Sequence, residues 1–190
     1  MESKTNVMRI LDKLKVPYAH YCYEGSGAVS GTEVAAVLGQ NPAQVFKTLV
    51  TVAKSKQHYV FMLPAGKELD LKKAAASVHE KSVEMIKSKE LLPTTGYIHG
   101  GCSPIGMKKA FPTVIDISAS AFETIIFSAG KIGYQVEVSL AGLAKAVKFT
   151  LADITEPAEY QQHSAAVRPL ILFPGLFGAI FAGIAGSRFR

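Results

Sequence analysis

The chain has no tryptophan, only two cysteines in 190 residues, and just 19% charged side chains. Cys22 and Cys102 can make at most one bridge, which excludes a disulfide-stapled scaffold. They form no CxxC pair, and the five histidines share no ligand spacing, so neither a metal site nor a cofactor is expected. The GxxxxGK[ST] spacing of a P-loop is missing, as is any repeat at the ~20–50-residue periods of solenoids. Residues Met1 to Asn6 hold no apolar stretch of the kind a secretory leader needs, so the expected location is cytoplasmic, with free thiols.

What the chain does have is aliphatic bulk. Hydrophobic residues make up 48% of it, which suits a folded domain and excludes a disordered chain or collagen. At ~100–200 residues per domain the length predicts one domain. The net charge is +6, and residues 1–156 carry 18 of the 21 basic and 14 of the 15 acidic side chains. A positive excess suits a polyanionic partner such as RNA, whose phosphates supply sequence-independent attraction. From Pro169 to Ser187 there is no charge, and Pro174 and Gly175 interrupt the run. A spanning helix needs ~20 apolar residues, so a membrane-inserting tail is the lesser expectation. Residues 157–190 are expected to be a disordered or appended extension without membrane contact, and residues 1–156 the working domain.

Helix and strand signals are interleaved. Val7, Ile10, Leu11 and Leu14 recur at helical spacing behind Thr5 or Asn6 as a cap, with Pro17 as the stop. A strand is predicted over 18–23. A capping box, Ser30-Gly31-Thr32-Glu33, opens a helix that Gly39 ends. Residues 45–53 and 58–63 read as a hairpin, Asp70 caps a helix to Val78, and 82–86 reads as a weak strand. A helical turn over 88–92 stops at Pro93. Strands follow at 113–117, 124–127, 134–138 and 147–151, with a helix opened by Ser139 before the last. The fold class is therefore α/β, a single domain with a mixed, curved sheet and surrounding helices.

Three segments carry chemistry. Lys47 interrupts the apolar run Val45-Phe46-Lys47-Thr48-Leu49-Val50, where a buried ammonium needs a cleft or an anionic partner. An edge-strand lysine that blocks aggregation is the bland alternative. The segment from Gly96 to Gly106 contains Gly100-Gly101-Cys102-Ser103-Pro104, where backbone amides could cradle an oxyanion. A small-residue turn, Ser128-Ala129-Gly130-Lys131-Ile132-Gly133, is the third. His99 lies too close in sequence to Cys102 for a usual Cys/His pair, so a cysteine nucleophile is disfavoured.

In order and spacing these segments resemble the YbaK/EbsC family of free-standing aminoacyl-tRNA deacylases, relatives of the editing domain of bacterial prolyl-tRNA synthetase. The matching stretches are Tyr23-Glu24, 45–49, Leu69-Asp70-Leu71-Lys72-Lys73, 95–106, Val114-Ile115-Asp116 and 127–131. The resemblance implies hydrolysis of cysteine from mischarged Cys-tRNA(Pro), and from Cys-tRNA(Cys), with the substrate's own thiol attacking its ester. It also implies a ternary complex with prolyl-tRNA synthetase. It makes Lys47, Gly100 and Gly101 catalytic, and Tyr23, Thr48, Cys102, Ser103, Ser128 and Gln135 substrate-binding. Some relatives have an aspartate where this chain has Gln135. A deacylase for alanyl or another small aminoacyl-tRNA, or a non-catalytic tRNA- or synthetase-binding domain, is the alternative.

Overall fold

The computed structural model describes residues 4–158. Thr5 caps α1 (Asn6–Lys13) by accepting from the Met8 N–H, and Val7, Met8 and Leu11 face the core. The chain leaves this helix through Lys15 in the left-handed region (φ 54°), two residues before the expected stop at Pro17. Strand β1 (Ala19–Cys22) leads to α2 (Gly31–Leu38), whose capping box is complete and whose C-cap is the left-handed Gly39. Strands β2 (Phe46–Ala53) and β3 (His58–Pro64) form the hairpin in register Lys47↔Leu63 and Val50↔Val60.

Asp70 Oδ1 accepts from the N–H groups of Lys72 and Lys73 to open α3 (Leu71–Ser77), and β4 (Val83–Met85) joins the outer side of β2. Helix α4 (Ser88–Thr95) runs past Pro93, where the sequence suggested a stop. A proline six residues into a helix leaves one carbonyl near the N-terminus unpaired. Here the residue is exposed to solvent, and the helix ends instead at the left-handed Gly96 (φ 84°). Strand β5 (Thr113–Asp116), a 3-10 turn over Ile117–Ala121, β6 (Thr124–Ser128), β7 (Tyr134–Ser139), α5 (Leu140–Ala146) and β8 (Phe149–Ala152) complete the order.

The strands pair in two sets. Five form a mixed sheet ordered β4-β2-β3-β5-β8, and three form an antiparallel sheet ordered β1-β7-β6. A single bridge, Val45↔Ile126, joins them, beside a bond from the Ile126 N–H to the Gln44 carbonyl at 3.0 Å. The main core lies between the sheets, α1 and α5, with Leu11, Met62, Ile115, Phe127, Val136 and Leu143 fully buried. A second apolar cluster covers the other face of the five-stranded sheet, where Phe61, Leu63, Val114 and Ile154 pack on Ala74 and Ala75 of α3. Strand β3 is buried on both faces, which explains its unbroken apolar run.

The end of the ordered pattern is stitched in: the Asp70 N–H donates to the Ile154 carbonyl and the Glu156 N–H to the Glu68 carbonyl, both at 2.9 Å. Among the described residues no helix is long and apolar enough to cross a membrane. The apolar run 169–187, and all but the first two residues of the expected extension 157–190, lie outside the described residues.

Candidate active site

A cleft of about 580 Å³ opens across the seam between the two sheets. Its floor is apolar, with Val34, Val45, Leu49, Ile86 and Leu91 among its walls. Seven of the nine residues singled out from the sequence line it: Tyr23, Lys47, Thr48, Gly100, Cys102, Ser128 and Gln135. These come from β2, from β6 and β7, from the end of β1 and from the loop after α4, so only the fold brings them together.

Lys47 meets both conditions that its position demands. Its side chain is 27% exposed on the cleft wall, and its Nζ lies 3.4 Å from Oε1 of Glu68. Glu68 is 68% exposed, so water weakens the pair and leaves it exchangeable. Sequence reading missed this carboxylate, because its partner is 21 residues away and the turn after β3 is what folds it back. On the next residue, Thr48 Oγ1 is buried without a hydrogen-bond partner. A hydroxyl in that state costs ~1–3 kcal/mol of stability.

The glycine loop divides in two. Gly100 lines the cleft in the left-handed region (φ 85°). Gly101 does not: a side chain there would come within 3.3 Å of the Ile132 backbone nitrogen, and its own N–H bonds the Ile98 carbonyl at 3.1 Å. It serves close packing of the loop on the 128–133 turn, and its amide is unavailable as an oxyanion donor. Ser103 is also away from the cleft, fully buried, with Oγ accepting from the Ile105 N–H at 3.4 Å. Tyr97 wedges the same two loops, since a Cβ on Gly130 would meet its ring at 2.8 Å and one on Gly106 its hydroxyl at 2.9 Å. That hydroxyl donates to the Ile105 carbonyl.

Cys102 is 9% exposed, and burial pushes its thiol up to about 12. A thiol held protonated is a poor nucleophile, although both it and His99 reach the cleft. On the opposite wall, Ser128 Oγ accepts from the Gly130 N–H at 3.1 Å. Gln135, 5% exposed, pairs in register with Ser128 on one side and Tyr21 on the other. The Tyr23 N–H donates to the Gly133 carbonyl at 2.8 Å, and Tyr134 Oη donates to Glu24 at 2.8 Å, holding that carboxyl below its ordinary range. Met85, Ile86 and Ser88 complete the rim, placed there by the pairing of β4 with β2.

This α/β fold and its cleft define a member of a translation-editing class: residues 26–146 match the model of the aminoacyl-tRNA editing domain, and the chain belongs to that family. It is 44% identical over 155 residues to an Enterococcus faecalis protein, EbsC, by its name a candidate Cys-tRNA(Pro)/Cys-tRNA(Cys) deacylase. That alignment covers 81% of this chain and 94% of the relative. Two solved structures share the fold. One, a candidate trans-editing enzyme for prolyl-tRNA synthetase, superposes with TM-score 0.69 at 21% identity, covering 82% of this chain and all of the other. The second, the hypothetical protein APE2540, gives TM-score 0.70 at 21% identity over 79% of this chain and 99% of its own.

Proposed function

We propose that the protein is a trans-editing deacylase that removes cysteine from Cys-tRNA(Pro), and from Cys-tRNA(Cys), by cleaving the aminoacyl ester. The observation that carries this is the cleft itself, which Lys47, Thr48, Gly100, Ser128 and Gln135 all line while the Cys102 thiol is kept protonated. Such a site offers a cation and donors but no activated nucleophile. Its volume falls in the ~300–1,000 Å³ range of small-molecule sites and suits a terminal nucleoside with its aminoacyl group.

In this mechanism the substrate sulfur attacks its own ester carbonyl. The S–C bond forms as the carbonyl oxygen becomes an oxyanion. Collapse breaks the C–O bond to the ribose, whose oxygen takes up the proton lost by the thiol. The cyclic thioester is then opened by water to free cysteine. Lys47 sits beside the terminal ribose or phosphate, where a cation both anchors the tRNA end and favours the departing oxygen. Single-turnover cleavage of Cys-tRNA(Pro) and Ser-tRNA(Pro) tests it. Serine is nearly isosteric, but its hydroxyl ionises far above a thiol at ~8.5, so its chemical step is expected to be slower by several powers of ten. Equal rates would point to activated water.

The same reading gives the protein a cytoplasmic place, mischarged tRNA(Pro) as its substrate and prolyl-tRNA synthetase as a companion in a ternary complex. Co-migration of synthetase and protein only when tRNA(Pro) is present would test the complex. The catalytic unit ends near Glu156; the backbone bonds of Ile154 and Glu156 to the 68–70 segment support that boundary.

A further inference from the structure

The face of the three-stranded sheet turned away from the main core packs Ile126 against Ala35 and Val45, and beside that apolar patch one polar contact bears on the cleft. Gly39 ends α2 in the left-handed region (φ 64°), and the next N–H, that of Gln40, bonds back to the Ala35 carbonyl at 2.8 Å. The side chain thus anchored reaches across to β7, where Gln40 Nε2 donates to Gln135 Oε1 at 2.9 Å. Gln40 is not itself among the residues lining the cleft; Gln135 is. The remaining oxygen, Gln40 Oε1, is buried and has no partner.

An amide has an accepting end and a donating end, and this contact occupies only the accepting end of Gln135. Turning both amides over would make Gln135 the donor, but it would also move an NH2 group with two hydrogens into the position of the partnerless oxygen. A buried donor left unpaired is rarer than an under-satisfied carbonyl. The orientation with an unpaired oxygen is therefore the less costly one, and in it Gln135 Nε2 is the end left over.

We propose that Gln40 is a positioning residue, holding Gln135 so that its Nε2 acts as a neutral donor to the carbonyl oxygen of the aminoacyl ester. This rests on the deacylase reading above. As sulfur attacks, that oxygen gains negative charge, and an N–H already oriented toward it stabilises the charge without reorganising.

The test is single-turnover cleavage of Cys-tRNA(Pro) by the full chain, with tRNA binding measured separately. Gln135→Met removes the donor at similar length and should slow the chemical step by about 100-fold with binding unchanged. Gln40→Glu presents only acceptors, so Gln135 must turn its Nε2 away from the cleft; a comparable loss is expected from a residue that does not touch the substrate. In the Gln135→Met background, Gln40→Glu should cost nothing more.

Lowering the pH should shrink the Gln40→Glu loss as the new carboxyl gains a proton to donate. If Gln40→Glu does not unfold cooperatively, Gln40→Met takes its place, with a severalfold loss that again vanishes beside Gln135→Met. The proposal is overturned if the Gln40 variant matches wild type, if its loss is the same in both backgrounds, or if the loss falls on tRNA binding alone. Wild-type protein that releases no amino acid from Cys-tRNA(Pro) would instead overturn the deacylase reading on which this depends.

Discussion

The two sheets bring opposite resources to the cleft. The five-stranded sheet is packed with apolar side chains on both faces, and out of it β2 offers one lysine and one buried hydroxyl that lacks a partner. The three-stranded sheet carries on its outer face, beside the small apolar cluster around Ile126, a set of polar groups most of which satisfy one another, Gln40 Oε1 being the exception. There Gln44 Nε2 donates to Thr124, Thr124 Oγ1 donates to Glu137 at 2.6 Å, and Tyr21 donates to the same carboxylate. Polar groups of the first kind cost stability until something binds them, whereas groups of the second kind stay oriented whether or not a ligand is present. One wall supplies a charge and the other a network of polar groups held mainly by one another.

Breaking the first wall should have the largest effect. Lys47→Ala is expected to lower the deacylation rate by about 100- to 1,000-fold, comparable to loss of a strong transition-state donor. Cooperative unfolding should survive, because the ion pair lost is partly solvated. A folded variant with an unchanged rate would remove Lys47 from the site.

Thr48→Val sharpens the comparison by moving activity and stability in opposite directions. It keeps the shape and deletes the hydroxyl that has no partner. Activity should fall about tenfold, the worth of one hydrogen bond, while the denaturation midpoint stays level or rises. A drop in both would mean that the hydroxyl is satisfied within the fold.

Smaller effects are expected from the cysteines. Exposed Cys22 should react with a thiol reagent at once and the largely buried, protonated Cys102 far more slowly, and Cys102→Ser should keep most of the activity. An unfolded thiol ionises from ~8.5, but in the folded chain that of Cys102 does so near 12. The folded state therefore binds more protons in this interval, and the stability contributed below pH ~8.5 is lost as pH rises toward 12. Denaturant midpoints between pH 8 and 11, for wild type against Cys102→Ala, check the sign. The smallest expected change is none: residues 1–156 alone should fold and cleave at the full rate.

Local chemistry was the legible part. The caps at Thr5, Ser30, Asp70 and Ser139 and the hairpin of β2 with β3 are all present, because each depends on neighbours within a few residues. Lys47 was conspicuous for the same reason, as a charge inside an apolar strand. Glu68, Gln40 and the β4 rim gave no such signal; each matters only through a partner brought from far along the chain. Gly101 and Ser103 looked like site residues because glycine and serine in a loop suit a ligand and tight packing equally. Gly101 packs on Ile132 and Ser103 is buried beneath the loop, so neither is among the residues that line the cleft. Pro93 misled because a rule for buried helix interiors was applied to an exposed last turn.

The contact between Lys47 and Glu68 has a consequence for selectivity. A tethered carboxylate behaves as an anion at millimolar effective concentration, so a stray inorganic anion must compete with an occupant that never diffuses away. A tRNA end does not compete alone, since the rest of the molecule adds attraction from many phosphates to a positively charged partner. Because the Glu68 contact is exposed and weak, it yields to such a polymer at small cost. If Lys47 receives a tRNA end as proposed, the contact would favour an anion carried on a macromolecule over one that arrives by itself.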